Sequence, residues 1–413
     1  MLRVPLSVGS LRLGTPMVLA PMAGVTNAAM RHICIEMALA GLQDAHVSAP
    51  ERQYASDFAP AGLFVNEMVI ARALVEGNRH SFELLKPADN EPLRSIQLHG
   101  TDPETMARAT EIVIREGAAH IDLNFGCPVP KVTRRGGGAA LPWKTGHFAR
   151  IVAAVVTAAR AADPAYPVPV TVKLRVGIDA NHLTFIDAAR AAIDSGAAAI
   201  CLHARSANQY YSGQADWARI AELVAELAET GVPVFGNGDI WTAGDAIQML
   251  RDSGCAGVEI GRGVQGNPWL LRDTAAALRG MEPVPHTLPT LREVLDVLNR
   301  HAELHVRYTG YEPHALEDMR KHIGWYLRGF PVGGAARSTL NRVRSLAELR
   351  AESDRLLQQV DPETRMPVET PGHRGRGGNT RRTKLPEHWL DSRDISDADV
   401  IRHAELDASG TVY

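Results

Sequence analysis

From Met17 to about Leu278 the chain repeats one pattern of hydrophobic and polar positions. A short apolar run ends in small or polar residues, and a longer Ala-rich stretch with apolar residues at helical spacing follows. Eight apolar runs read as strands: residues 17–21, 63–68, 93–99, 120–124, 170–175, 198–203, 232–237 and 257–261. The stretches between them read as helices, for example Met106-Ala107 with Ile112-Val113-Ile114, and Ile151-Val152-Ala153 with Val155-Val156. Strands alternating with helices imply a parallel sheet joined by right-handed crossovers. Eight such units predict an α/β fold of the (β/α)8 TIM-barrel type, with a doubly wound sheet as the alternative.

A barrel carries its chemistry at the C-terminal ends of the strands. Those ends are polar here: Asn66-Glu67-Met68, Gln97-Leu98-His99, Asn124-Phe125-Gly126-Cys127, Lys173-Leu174-Arg175, His203-Ala204-Arg205, Gly236-Asn237-Gly238-Asp239 and Glu259-Ile260-Gly261-Arg262-Gly263. Each residue alone reads as a hydrogen-bonded loop group; together they predict the lining of one pocket. The last two ends offer backbone N–H groups and Arg262 to an anion, with Asn267 expected to cap the next helix and Pro268 to open it. Residues 261–266 also spell GxGxxG, but no further βαβ unit follows, so a dinucleotide fold is not expected. Lys173 has three readings: a Schiff-base lysine, a partner of an anionic cofactor, or a salt-bridged core lysine.

The fourth run leads into Ile121-Asp122-Leu123-Asn124-Phe125-Gly126-Cys127-Pro128-Val129-Pro130-Lys131. Alternation stops at Gly126 and Pro128, and a thiol is left on a stiff turn with Lys131 near enough to tune it. The Gly-rich run Arg134-Arg135-Gly136-Gly137-Gly138 then reads as a mobile lid. A reactive thiol and a small buried apolar residue are the two readings of Cys127 at this level.

Two stretches break the rhythm. Residues 43–61 lengthen the link into the second strand and read as an inserted loop near the mouth of that strand. After about Gly280 a Pro-rich linker leads into residues 288–359, which lack strand signals and read as helices. Residues 1–280 are thus the expected barrel, 288–359 a helical domain, and 360–413 a tail rich in Pro, Gly, Arg and Asp, expected to be largely disordered. Inside the helical domain Met319-Arg320-Lys321-His322-Ile323-Gly324-Trp325-Tyr326-Leu327-Arg328-Gly329-Phe330 mixes basic and aromatic residues. That mixture suits a nucleic-acid backbone; a solvated helix face with Trp325 and Phe330 in the core is the alternative.

Composition adds limits. The net charge of −3 gives no global sign of a nucleic-acid binder, so basic surface must be local. Four cysteines, Cys34, Cys127, Cys201 and Cys255, stand far apart with no CxxC, which argues for a reducing compartment and against a zinc site. No apolar run is long enough to span a bilayer, and the N-terminal stretch lacks a signal-peptide core, so a cytoplasmic protein is expected with no metal and no obligate protein partner.

The chain resembles the tRNA-dihydrouridine synthases, and most of all their bacterial B group, over roughly residues 10–350. The resemblance is carried by Leu19-Ala20-Pro21-Met22-Ala23-Gly24-Val25-Thr26, Asn124-Phe125-Gly126-Cys127-Pro128 with Lys131-Val132, Gly236-Asn237-Gly238-Asp239-Ile240, and Gly261-Arg262 with Gly266 and Pro268-Trp269. It implies a barrel that binds FMN, NADPH as reductant, and tRNA as substrate, held in part by the helical domain. It places Pro21, Met22 and Ala23 along the flavin ring, Gln97 at its polar edge, and Lys173 and His203 in contact with it. Asn237, Gly238, Asp239, Gly261 and Arg262 would cradle the ribityl chain and phosphate. Asn124 would touch the target uracil, with Arg205, Arg320 and Lys321 as further substrate contacts, and Cys127 would be the acid. The implied reaction passes a hydride from reduced FMN to carbon 6 of a flipped-out uridine and a proton from Cys127 to carbon 5, giving 5,6-dihydrouridine. The stretch after His203 matches the family's wording only in part. Three rivals are a flavin barrel acting on a small pyrimidine or enone, a Schiff-base aldolase using Lys173, and an RNA-binding protein with an inactive barrel.

Overall fold

The computed structural model describes residues 5–282, 288–367 and 379–395. The eight expected strands form a closed parallel barrel. They are β1 (Met17–Leu19), β2 in two pieces (Leu63–Phe64 and Val69–Ile70), β3 (Arg94–His99), β4 (Ala118–Phe125), β5 (Val170–Arg175), β6 (Ala199–His203), β7 (Val234–Asn237) and β8 (Gly257–Ile260). Neighbours pair in sequence order, and β8 returns to β1 with Glu259 opposite Val18. Closure falls at the break in β2: Val65 N–H donates to Leu19 O at 3.2 Å while Asn66 N–H donates to Ser95 O at 3.0 Å. A doubly wound sheet has two open edges, so this ring excludes it.

The crossover helices obey local rules. Pro103–Arg115 starts with Asp102 accepting the Thr105 N–H at 2.8 Å and buries Met106, Ala109, Thr110 and Val113 on one stripe. Ala243–Ser253 starts in a Thr242/Asp245 capping box and stops at Gly254 in the left-handed region. The helix after β8, Trp269–Leu278, departs from expectation: Pro268 directly precedes it and the side chain of Asn267 makes no cap.

The inserted residues 43–61 do not border the mouth. A crossover helix runs back against the strands and delivers the chain to their N-terminal ends, so an insertion ahead of β2 belongs at the barrel floor. There Phe58–Ala59 lies parallel to Leu11–Leu13, which pairs antiparallel with Leu6–Val8. Arg12 Nε donates to Asp57 at 3.0 Å and Thr15 Oγ1 to Pro60 O at 2.7 Å. Val8, Leu11, Leu13, Ala59 and Phe235 share one apolar cluster that plugs this end.

Beyond residue 288 the chain is helical: Leu291–Thr309, Glu312–Tyr326, Gly333–Leu340 and Leu346–Gln359 enclose their own core of Leu298, Leu316, Met319, Tyr326, Phe330 and Leu349. This layer docks on the first barrel helix, Ala28–Asp44, through Ala29, Ile33 and Leu304 and through His32 Nδ1 and Tyr308 Oη at 2.8 Å. In the basic-aromatic stretch the apolar residues go to the core, as the alternative reading held for Phe330; Trp325 is only half-buried.

Much of the tail expected to be disordered lies outside the described residues. Its described residues are different: 360–367 pack on the helical layer, where Met366 is buried, and 379–395 pack across the barrel. Trp389 is buried, and Leu385, Leu390 and Ile395 lie against the barrel's core cluster. Four apolar side chains in seventeen residues give this part something to bury that the rest of the composition conceals.

Candidate active site

A cavity of about 1310 Å³ opens at the C-terminal ends of the strands. Its wall includes Pro21, Met22, Ala23, Gln97, Asn124, Cys127, Lys173, His203, Asn237, Gly238, Asp239, Gly261, Arg262 and Lys321. Arg205 and Arg320, both expected at the substrate, do not line it.

The floor is a side-chain network within the barrel. Asp122 on β4 accepts from Gln97 Nε2 at 2.7 Å and from Thr171 Oγ1 at 2.6 Å. Burial, with the Glu259 charge behind it, pushes the Asp122 carboxyl up to about 7. Gln97 Oε1 accepts from Asn124 Nδ2 at 3.1 Å, and Asn124 Oδ1 accepts the backbone N–H groups of Gly126 and Cys127. Beside this chain Lys173 Nζ donates to Glu259 at 2.7 Å and to Asn237 Oδ1 at 3.1 Å. Burial opposes the Lys173 charge, yet its acidic surroundings win and hold the ammonium above its ordinary range. A Schiff-base lysine needs a neutral amine, so this pairing removes the support for the aldolase reading.

Cys127 stands at the rim. Burial holds its thiol above the usual range, opposed by the Val129 backbone N–H and by the Arg175 charge. It is therefore a protonated thiol at neutral pH. Lys131, expected to tune it, is exposed on the short helix Pro130–Thr133; the cation acting on Cys127 is Arg175, whose Nε donates to Gly126 O at 2.8 Å. The Gly-rich run is not a lid. Gly136, Gly137 and Gly138 are buried, and at Gly138 a Cβ would fall 2.5 Å from Cys127 O. These glycines supply close approach rather than mobility.

The ends of β7 and β8 form a cationic corner. Gly238 has φ +124°, where a Cβ would come within 2.8 Å of Ala215 Cβ and 3.1 Å of His203. Asp239, at φ +54°, accepts from Arg205 at 2.6 Å and from Arg262 at 3.2 Å. Arg262 also lies over the rings of Tyr211 and Trp241, at 4.3 and 5.0 Å. Arg205 is buried beneath the corner, and among the described residues its Nη1 has no hydrogen-bond partner. His203 is driven well below its ordinary value by burial and by the Arg175, Lys173, Arg205 and Arg262 charges, so its imidazole is neutral.

The opposite side of the cavity is completed from the helical layer. Lys321 pairs with Asp318 and lies by Gly24, where a Cβ would be 3.7 Å from its Nζ. Arg320 pairs with Glu317 at 3.1 Å on the outer face. Glu259 belonged to a strand end expected to line the pocket and Arg381 to the basic half of the tail, whereas the lining residues Trp241, Tyr210, Tyr211 and Asn379 had no role in the expectation. In the barrel Glu259 lies opposite Asn237 in the sheet register; the three aromatic residues and Asn379 carry no local signal.

A family model for dihydrouridine synthases matches residues 18–361. A probable tRNA-dihydrouridine synthase of Mycobacterium tuberculosis strain H37Rv is 46% identical over 406 residues, 98% of this chain and 97% of the relative. One from Mycobacterium leprae is 46% identical over 398 residues, covering 95% and 100%. tRNA-dihydrouridine synthase B of Xanthomonas campestris pv. campestris is 36% identical over 362 residues, covering 86% and 98%. The chain is a barrel oxidoreductase of the dihydrouridine synthase family. Members of that family depend on a flavin, and a B-type enzyme is among its relatives.

Proposed function

We propose that this protein reduces uridines in tRNA to 5,6-dihydrouridine, using FMN and NADPH. The observation that carries the reading is the meeting, in one cavity, of a protonated Cys127 with the Lys173 cation and the cationic corner around Gly238 and Arg262. The residues fit a flavin mononucleotide. The corner puts the Arg262 guanidinium in the cavity wall next to Gly261, where a Cβ would meet nothing nearer than 3.5 Å, so backbone and cation are both open to a phosphate. Asn237, Gly238, Asp239, Gly261 and Arg262 would hold the ribityl phosphate end, with Arg205 acting through Asp239. Pro21, Met22 and Ala23 would face the ring, with Gln97, Lys173 and His203 at its polar edges.

FMN held there would supply hydride chemistry at carbon 6 of the uracil, NADPH being the source of its electrons. The chain's own residues do the rest. Lys173, a permanent cation, stabilises negative charge at its end of the site. Asn124 fixes the turn that carries Cys127, and Cys127 Sγ–H gives its proton to carbon 5. The thiolate then regains a proton from solvent. Arg175, beside Cys127, favours that thiolate while it lasts. The helical layer supplies Lys321 to the RNA; Arg320, paired on the outer face, is a second RNA contact if the RNA extends over that helix. The membrane plays no part in this reading: no helix among the described residues is long and apolar enough to cross one.

The test is purified protein with NADPH and tRNA lacking dihydrouridine, beside Cys127→Ala. The expected result is a yellow wild type that adds two hydrogens per modified uridine by mass spectrometry, and a yellow variant that oxidises NADPH yet forms almost no dihydrouridine. A yellow wild type that leaves every tRNA unchanged would assign the cavity to another flavin reaction.

A further inference from the structure

Residues 379–395 belong to neither the barrel repeat nor the helical layer, yet they are built into the rim of the cavity. Trp389 covers Gly136, where a Cβ would come within 2.5 Å of the indole ring. Its Nε1 donates to Ala140 O at 3.0 Å, and Lys144 Nζ lies 5.0 Å over the ring. Lys144 Nζ also donates to Ser392 O and Asp394 O, at 2.7 and 2.8 Å. Trp143 Nε1 donates to Ser392 O at 2.9 Å, and Arg393 stacks on the Trp143 ring at 3.8 Å. On its other side the same loop holds Cys127, whose carbonyl accepts from Ala139 N–H at 3.0 Å. The segment therefore grips the back of the loop that carries the thiol.

From this anchorage the segment reaches the cavity. Arg381 N–H donates to Asn208 O at 2.8 Å, Thr380 Oγ1 meets Ser212 Oγ at 2.8 Å, and Asn379 and Arg381 join the wall beside Tyr210. Arg381, Arg382 and Lys384 are exposed, as are Lys131 and Arg134 on the loop that the segment grips. Of these five cations Arg381 lines the cavity, in a chain whose net charge is −3.

We propose that residues 379–395 form a strap that completes the RNA-binding wall: Arg381 takes a backbone phosphate of the RNA carrying the target uridine, and Trp389 holds the strap in place. This rests on the tRNA reading above. A phosphate of the nicotinamide reductant offers the same chemistry, and the experiment separates the two. Arg381 is the binding residue and Trp389 a positioning residue.

The experiment uses full-length wild type, Arg381→Ala, Trp389→Ala and the double variant. Affinity for tRNA is measured as a function of salt, and flavin reduction as a function of NADPH concentration. Arg381→Ala is expected to weaken tRNA binding about tenfold and to reduce the slope of log affinity against log salt by about one, since one phosphate contact is gone. Its NADPH dependence stays that of the wild type. Trp389→Ala is expected to lose a similar factor, and the double variant no more than Trp389→Ala alone, because a released strap no longer presents Arg381. Arg381→Ala binding tRNA with wild-type affinity and salt slope would overturn the proposal. So would losses that multiply in the double variant, or a defect confined to NADPH, which would give the phosphate to the reductant. Arg381 is exposed, so its variant carries the test even if Trp389→Ala does not fold. A wild type that binds no tRNA would remove the underlying reading as well.

Discussion

The side-chain oxygen of Asn124 accepts the backbone N–H of Cys127 at 3.0 Å, so the residue near the end of β4 also sets the place of the thiol three positions on. The same amide is tied through Gln97 to Asp122, which hangs the acid loop from the inside of the barrel.

Asn124→Ala removes that suspension. Misplacing a reacting group by about 1 Å costs roughly 100-fold, so dihydrouridine formation should fall by that order. Flavin reduction by NADPH, followed by stopped flow, should fall far less. Equal losses in both half-reactions would mean that Asn124 serves the flavin site as a whole.

Asp122 makes stability depend on pH. Its carboxyl is raised from 3.8 to about 7 by burial and by Glu259. Between those values the folded protein holds a proton that the unfolded chain has lost, so stability falls as pH rises through that window. Asp122→Asn should flatten the fall. Between pH 5 and 8 its melting temperature should drop less than that of the wild type, by on the order of 5 °C. Parallel curves for the two proteins would refute this.

Lys173 and Glu259 form a buried ion pair at 2.7 Å, with side chains 13% and 3% exposed. Lys173→Met leaves a carboxylate without its cation and should destabilise the flavin-free protein by about 3–5 kcal/mol in denaturant unfolding. Adding Glu259→Gln should recover much of that loss, because the stranded charge is gone. A double variant no more stable than Lys173→Met would show that the ammonium's other contacts matter more than the pair.

The barrel was legible because its period is local: each strand ends where small or polar residues begin, and those ends became the cavity wall. Asn124, Cys127, Lys173 and Gly238 were visible for the same reason. What the sequence hid was contact across long separations. Gly136 and Gly137 read as mobile because the side chains that crowd them, Trp389 and His99, are distant in sequence, Trp389 by some 250 residues. Lys131 read as the partner of Cys127 because it is near in sequence, whereas Arg175 is near in space, one strand over. The helix after β8 shows a smaller gap: Asn267-Pro268 has the residues of a cap without the cap's hydrogen bond. Leu385, Trp389 and Leu390 were apolar signals in the tail, outweighed by its Pro, Gly and Arg.

The bond between Trp389 and Ala140 spans 249 residues, which sets an order of events during synthesis. The barrel leaves the ribosome first, with the catalytic turn unsupported from behind. At roughly 5–20 residues per second, the anchoring indole follows the last barrel helix by on the order of ten seconds. A nascent chain thus has its catalytic scaffold before it has the piece that steadies the thiol.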